Sequence, residues 1–582
     1  MTLTPLQVLR DRFGFESFRP GQLEIIESVL DGNDTLAVRP TGSGKSLCFQ
    51  IPGLILPGTT LVISPLISLM KDQVQALQAN GISAVAVHSG LEVDELRRVY
   101  GQISTGNLKF VYVSPERTMN GPFPLVLKRL FSKSQLSLIA VDEAHCISRW
   151  GRDFRPSYRR VRDLRHLCPG IPVVALTATA LPRIQEDILE LLEFNRDNKI
   201  FISDFDRPNL SYGVCPVPSA KDKRLMELVS WDSEAPGIIF CATRKAVEAV
   251  HLMLKKNGIN SLPYHGGMHY GQRKFVQESF LNGEVPWIAA TSAFGMGIDK
   301  RDLRTVVHYH MPGSLEQYIQ ECGRAGRDGN LARCLLLYSI SDRRIHEGLI
   351  VHSKPRMDIV EPLFQEILSH GKCWETSESE ILRSLQIRAD SDLNLEPGEK
   401  SLHRYLNLLE EHGFIHWVRD RGIWTITRQS SSLELHGIRK INMGIIEESF
   451  LRLEQMERYC THQGCLREFL KEELSSVGTV CENCSGCRGD YGIEIDESDP
   501  VIHRILDFAR EYPEHCRVST IAAVLGGSRS QALKAQQLHD SPYYGILSEH
   551  SQVKIRDLVR QLFYVGHIRR PSYDSGSIAQ TA

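Results

Sequence analysis

Pro40-Thr-Gly-Ser-Gly-Lys-Ser46 follows the apolar run Thr35–Val38 and precedes Leu47-Cys-Phe49, the setting of a glycine-rich turn between a strand and a helix. Backbone N–H groups of Thr41, Gly42, Ser43 and Gly44 in such a turn cradle phosphate at the helix N-terminus. In that geometry Lys45 reaches the outer phosphates and the Ser46 hydroxyl ligates Mg²⁺. Arg39 stands where the usual pattern begins with glycine. A chance glycine loop is therefore the competing interpretation of this stretch alone. A second segment weighs against it: Leu138-Ile-Ala-Val-Asp-Glu-Ala-His145 is an apolar strand ending in two carboxylates. There Asp142 is placed to hold Mg²⁺, and Glu143 to orient and deprotonate an attacking water. An isolated Asp-Glu pair reads better as a helix N-cap, but the phosphate loop upstream makes the catalytic interpretation the stronger one.

Working outward, short apolar runs alternate with amphipathic stretches through the first 200 residues. Expected strands are Thr35–Val38, Thr60–Ser64, Phe110–Ser114, Leu138–Val141 and Val173–Leu176. A second series, including Gly237–Phe240, Trp287–Thr291 and Thr305–His308, follows the connector Ser203-Asp-Phe-Asp-Arg-Pro-Asn209. Strands alternating with helices predict parallel sheets with crossover helices, hence two tandem α/β lobes. The second lobe ends in Gln320-Glu-Cys-Gly-Arg-Ala-Gly-Arg327, and its paired arginines can neutralise charge on a nucleotide held by the other lobe.

The chain has 582 residues, which at roughly 150 per domain suggests about four domains. No apolar run approaches the roughly 18 residues of a membrane helix, and Met1–Pro5 lacks the layout of a signal peptide. A cytosolic protein without membrane contact is expected. Lys and Arg number 68 against 70 Asp and Glu, a net charge of −2 that gives no overall attraction to nucleic acid. Locally the balance differs: Arg149, Arg152, Arg155, Arg159, Arg160 and Arg162 stand against Asp153 alone. Phosphate responds to the field at such a patch rather than to the total.

In order, these motifs resemble those of the RecQ-family DNA helicases of superfamily two, closely over residues 8–345, which implies that the two α/β lobes are RecA-like P-loop lobes. Phe15-Glu-Ser-Phe-Arg-Pro-Gly-Gln22 is similar to the family's adenine-reading motif, which implies that Gln22 pairs with the base while Phe15 and Arg19 pack on its faces. Val62–Gln73, Tyr112–Arg117, Thr177-Ala-Thr179, Tyr264-His-Gly-Gly267 and Ala290–Lys300 resemble its DNA-contact and coupling motifs. The resemblance implies that Arg327 is the arginine finger, with Arg324 and Gln320 also at the γ-phosphate. Cys146-Ile-Ser-Arg-Trp-Gly-Arg-Asp-Phe-Arg155 resembles the family's aromatic-rich loop, with Arg149 and Arg152 where Gln and His are usual. Trp150 and Phe154 suit base stacking and Arg155 a phosphate.

Five cysteines crowd between Cys460 and Cys487. Cys465, Cys481, Cys484 and Cys487 give C-x15-C-x2-C-x2-C, close to the family's zinc-site spacing, with Cys460 a spare. Four sulfurs leave no open position, so a structural zinc is expected, with an iron–sulfur cluster as the rival. Leu402, Tyr405, Leu406 and Leu409 follow helical spacing and precede an expected hairpin, Phe414–Val418 with Ile423–Thr427. Ile555, Leu558, Val559 and Leu562 repeat the pattern before a hairpin turning at Tyr573–Gly576, where Tyr573 is either a strand-separating tip or a solvated turn residue.

The expected architecture is a first lobe (1–206), a second lobe (207–345), an inserted winged-helix-like module (346–450), a zinc module (451–495) and a C-terminal winged helix (496–582). The resemblance implies ATP, Mg²⁺ and Zn²⁺ as cofactors and 3′→5′ unwinding of DNA in recombination and repair, at the bacterial nucleoid or in a eukaryotic nucleus. Implied partners are single-stranded and duplex DNA, with single-strand-binding or recombination proteins. The alternatives are an ATPase that remodels or anneals DNA without unwinding it, and a DNA-binding protein with an inactive ATPase fold.

Overall fold

The computed structural model describes residues 3–40, 42–88, 90–119, 121–148, 156–178, 182–194, 197–203, 206–217, 220–231, 233–294, 300–353, 357–369, 373–374, 402, 405–406, 408–410, 415–418, 423–426, 432–474, 481–489 and 498–568. Seven strands form the first sheet: β1 (Thr35–Val38), β2 (Thr59–Ile63), β3 (Ala84–Val87), β4 (Phe110–Val113), β5 (Leu136–Val141), β6 (Val173–Thr177) and β7 (Lys199–Ile202). They run in the order β3-β4-β2-β5-β6-β1-β7, all parallel. Every residue of β1, β2, β4 and β6 is buried, as helices on both faces of a parallel sheet require. The order sets β1, β6 and β5 side by side, with Val38 beside Thr177 and Val141 beside Ala175. Segments leaving these three strands therefore meet at one end of the sheet, where parallel α/β folds bind ligands.

The second sheet holds β8 (Leu210–Pro216), β9 (Gly237–Phe240), β10 (Ser261–Tyr264), β11 (Trp287–Ala290), β12 (Thr305–His308) and β13 (Ala332–Tyr338). Its order is β10-β11-β9-β12-β13-β8, again parallel throughout. All eight expected strands form, with end shifts of one or two residues. Beyond the candidate strands named from sequence, β3, β7, β8, β10 and β13 complete the two sheets.

The cysteine segment and the C-terminal helices pack with the second sheet. Ser211 Oγ donates to the Asn483 carbonyl at 2.8 Å, and the Ser485 hydroxyl accepts from Val214 N at 3.2 Å. The Tyr564 hydroxyl donates to the Val217 carbonyl at 3.3 Å from the helix Gln552–Tyr564. Ile555, Val559 and Leu562 of that helix are fully buried, Leu558 partly so, and Gly566 turns the chain at φ 79°. The hairpin expected around Tyr573 lies outside the described residues.

Residues 343–454 and 571–582 make up a separate compact unit. Within it Leu402, Tyr405, Leu406 and Leu409 are all buried, as their spacing predicts. The expected hairpin forms as β15 (Ile415–Val418) against β16 (Ile423–Ile426), with Ile415 opposite Ile426. A third strand, β14 (Cys373–Trp374), adds to the outer side of β16 and was not expected. Among the described residues no helix is long and apolar enough to cross a membrane.

One buried ion pair secures the entry to β1. Both Asp34 oxygens accept from Arg165, at 2.9 and 2.7 Å, and Oδ1 also accepts from Val173 N at 2.9 Å where β6 begins. The Asp34 side chain is only 2% exposed, so removing its partner leaves a buried charge. Arg165→Ala is expected to destabilise the fold by about 3–5 kcal/mol in urea denaturation; a loss under about 1 kcal/mol would show that the pair is dispensable.

Candidate nucleotide site and cysteine cluster

The phosphate loop leaves β1 and leads into the helix Leu47–Ile55. Gly42 and Gly44 hold φ of 80° and 78°, which other residues adopt only with strain. A Cβ on Gly44 would also lie 2.5 Å from Gln22 Nε2. Lys45 Nζ is buried and finds no hydrogen-bond acceptor among the described residues, with Glu143 Oε1 3.9 Å away; Ser43 Oγ is likewise buried without a partner. Two buried donors of this kind, beside a glycine-lined turn, fit phosphate oxygens. Arg39 is 2% exposed and explains the departure from the usual pattern: it donates to the Pro20 carbonyl at 2.9 Å and to Ser203 Oγ at 3.2 Å. It therefore ties the loop to the segment before it and to the connector after the first sheet.

Gln22 is buried, and its amide donates to the Ser43 and Gly44 carbonyls at 3.1 Å each while accepting from Arg19 N at 2.8 Å. Arg19 in turn donates to the Gly42 carbonyl. Phe15 is 44% exposed, leaving its ring open for packing. The motif expected to read adenine thus also props the phosphate loop from behind. Thr41 lies outside the described residues.

Asp142 and Glu143 follow β5. The Asp142 carbonyl accepts from the buried Tyr158 hydroxyl at 2.7 Å, and Glu143 N donates to Asp142 Oδ1 at 3.0 Å. Burial, with Glu143 alongside, raises the Asp142 carboxyl to about 7, while Lys45 acts in the opposite direction. Such a carboxylate gains most from a nearby divalent cation. Ser46 Oγ, the other expected Mg²⁺ ligand, accepts from Gln73 Nε2 at 2.8 Å, and Gln73 accepts from the Tyr112 hydroxyl at 2.8 Å. Asp142 and the Ser46 hydroxyl fit the ion by donor type, and Mg²⁺ there would neutralise phosphate charge.

Glu143 sits in the left-handed region (φ 49°, ψ 48°), a conformation a non-glycine residue keeps only when its surroundings over-determine it. Its carboxylate lies between Lys45 and His145, whose Nδ1 is 3.3 Å away and also bonds Thr177 Oγ1 at 2.9 Å. His145 thus links the acidic motif to Thr177 at the end of β6, a role the sequence did not disclose.

From the second lobe, Arg327 packs against the phosphate loop: a Cβ on Gly42 would stand 3.4 Å from Arg327 Cγ and 3.6 Å from Nε. Arg324 is buried, and burial followed by repulsion from Arg327 lowers its guanidinium to about 10. Gln320 lies half-buried on the helix Leu315–Cys322, which its neighbour Glu321 anchors through His308 Nε2 at 2.9 Å. Two expected catalytic arginines and the phosphate loop are therefore brought together across the two lobes.

The DNA-contact candidates Arg149, Trp150, Arg152, Phe154, Arg155 and Tyr573 lie outside the described residues. Of the basic run that follows, Arg162 is bonded to Glu193 at 2.6 Å. Counting charges along residues 149–162 overstates the free cation there, because the compensating carboxylate is 31 positions away.

Cys465, Cys481, Cys484 and Cys487 bring their sulfurs within 4.8 Å of one another. Neighbouring S–S distances of 3.6, 3.9, 4.0 and 3.5 Å match the roughly 3.8 Å edge of a tetrahedron with Zn–S bonds of about 2.3 Å. They are far too long for disulfides. Backbone N–H groups of Leu466 and Cys487 point at the Cys484 sulfur at 3.3 and 3.4 Å. Burial alone would push the Cys481 thiol up, but hydrogen bonds led by Asn483 N–H and Arg467 bring it down to about 7. The set fits a structural zinc; Cys460, buried elsewhere, is not part of it.

A phosphate loop and acidic pair on one parallel-sheet lobe, met by arginines from a second such lobe, define a two-lobed P-loop protein of the helicase type. Family models agree: DEAD/DEAH box helicase over residues 19–188, helicase conserved C-terminal domain over 220–329, and RQC domain over 501–580. An ATP-dependent DNA helicase RecQ of Bacillus subtilis is 33% identical over 569 residues, spanning 97% of this chain and 80% of that protein. The chain belongs to the RecQ family. A RecQ of Haemophilus influenzae is 45% identical over 342 residues, 58% of this chain and 54% of its own length, and for one of Pasteurella multocida the matched share is 59%. The chain thus matches little more than half the length of these two relatives. The solved structure of the DUF1998 helicase MrfA bound to DNA shares the fold, with a TM-score of 0.50 and 18% identity over 73% of this chain and 62% of that one.

Metal analysis of the purified protein is expected to find about one zinc per chain. Cys484→Ser should lose most of it, and an unchanged zinc content in that variant would refute the ligand set.

Proposed function

We propose that this protein is an ATP- and Mg²⁺-dependent DNA helicase that moves 3′→5′ along single-stranded DNA and separates duplex or branched DNA in recombination and repair. The observation that carries the proposal is Arg327 lying against Gly42, because it supplies from one lobe a charge needed at the phosphates bound by the other. Lys45 and Ser43 take the phosphate oxygens, and Glu143 accepts the proton of the attacking water. Asp142 and Ser46 are the Mg²⁺ ligands. Arg327, with Arg324 and Gln320, neutralises charge as the γ-phosphoryl group departs. Nucleotide bridging Lys45 and Arg327 favours closed lobes, and its hydrolysis releases them; alternating grip then draws the strand through. Polarity and substrate are those of the RecQ family.

Further parts of the proposal are Phe15, Arg19, Gln22 and Thr41 as nucleotide contacts, and Arg149, Trp150, Arg152, Phe154 and Arg155 as DNA contacts. Tyr573 is the strand-separating tip, and zinc is structural. Module boundaries at 206, 345, 450 and 495 are supported by the matched families and by the compact unit 343–454.

Lys45→Ala is expected to lower ATP hydrolysis stimulated by single-stranded DNA about 100-fold or more and to abolish separation of a 3′-tailed duplex. Substantial turnover in that variant would sink the assignment. Wild-type ATP turnover with no strand separation would instead favour remodelling without unwinding.

A further inference from the structure

Asp206, Arg207 and Asn209 lie in the short segment that connects the first lobe to β8. Arg207 does not face the phosphate loop with a free guanidinium. It donates to three backbone carbonyls of the turn that carries the catalytic arginines: Gly323 at 3.1 Å, Ala325 at 3.1 Å and Gly326 at 2.6 Å. Asn209 Nδ2 adds bonds to the Gly326 and Asn330 carbonyls at 2.8 Å each. Gly326 itself has φ 56°, and a Cβ there would stand 2.5 Å from Asn209 Nδ2. The turn between Arg324 and Arg327 is thus shaped around the connector.

The connector is held in its turn by the cysteine segment. Arg467, two residues from Cys465, donates to the Arg207 carbonyl at 3.0 Å and to the Leu210 carbonyl at 2.6 Å, and pairs with Asp206. Lys471 pairs with the other Asp206 oxygen at 3.0 Å. The Arg467 guanidinium also lies over the Tyr212 ring at 5.4 Å. Its side chain is 5% exposed, so each of these bonds is shielded from water.

We propose that Arg207 is a positioning residue for the arginine finger, and that Arg467 sets Arg207 from the cysteine cluster, so that the metal-binding module fixes the geometry of Arg327 at the phosphate loop. The energetic logic is that of a fork of donors spanning several acceptors: three carbonyls are held by one planar guanidinium, and a point charge cannot reproduce that arrangement. Arg327 repels both Arg324 in its own turn and Arg207 beneath it, and the carbonyl contacts offset that repulsion. The inference rests on the proposed ATPase, and its test is read partly without catalysis.

Hydrogen exchange of the full-length protein is the first readout, because the amides of Ala325 and Gly326 bond to Cys322 and Leu303 carbonyls and are protected only while the turn is formed. In Arg207→Ala, exchange over residues 323–329 is expected to rise about tenfold or more, with exchange over 42–46 and zinc content unchanged. Arg207→Lys, which guards against loss of folding, should give a smaller rise in the same peptide. Arg467→Ala should reproduce the rise over 323–329; an increase confined to 465–488 would overturn the link to the cysteine cluster. In ATP turnover, Arg207→Ala should lower kcat about tenfold or more with KM for ATP within about twofold. Unchanged exchange over 323–329, or a raised KM with unchanged kcat, would overturn the positioning role. Loss of turnover in the wild-type protein would count against the proposed function alone, since the exchange pattern does not depend on it.

Discussion

Cations crowd the cleft between the two lobes. Lys45 leaves the phosphate loop, Arg19 bonds the Gly42 carbonyl, and Arg327 packs on Gly42 with Arg324 close behind. Arg207 feels both Arg327 and Arg19 as like charges that lower its proton affinity, after burial itself. Against them stand Asp142 and Glu143, one of which is itself raised to about 7 by burial. Like charges gathered in a low-dielectric cleft repel, and a triphosphate relieves that repulsion more fully than two carboxylates. In the proposed ATPase the nucleotide is therefore the bond between the lobes, and its charge is what would couple their separation to chemistry.

Holding such a cleft open to one ligand requires rigid support behind each charge. The first lobe supplies it through backbone: glycines at positive φ, a left-handed Glu143, and the buried Arg39 fastened to Pro20 and Ser203. The second lobe supplies it through His308, which bonds Glu321 of the helix Leu315–Cys322, and through the connector residues beneath the arginine turn. The cysteine segment extends the same support outward, because Arg467, two residues from Cys465, bonds the connector carbonyls. The four-cysteine cluster thus lies one side chain away from the segment joining the two lobes.

Features encoded over a few residues were legible in the sequence. The phosphate loop, the acidic pair, the arginine turn and the four cysteines all owe their chemistry to local spacing, and the structure gathers each of them. Strands buried on both faces were legible for the same reason. β10 was less so because Pro263 interrupts it, and β7 because three of its four residues are exposed at a sheet edge. What sequence could not disclose was pairing at a distance: Arg165 with Asp34 across 131 positions, Arg207 with Gly323 across 116, and Arg467 with Asp206 across 261. An arginine in a connector reads as a solvated cation until its acceptors are known. The same limit explains why the run of six arginines overstated the free charge available to DNA, since Arg162 is already bonded to Glu193.

The contribution of the second lobe to hydrolysis is open to direct measurement. Single-turnover hydrolysis of ATP by Arg327→Ala, at saturating single-stranded DNA, isolates the chemical step from binding and product release. An arginine that neutralises the departing phosphoryl group implies a rate lowered about 1,000-fold or more with ATP affinity little changed. Hydrolysis at the wild-type rate in that variant would contradict a site completed from the second lobe.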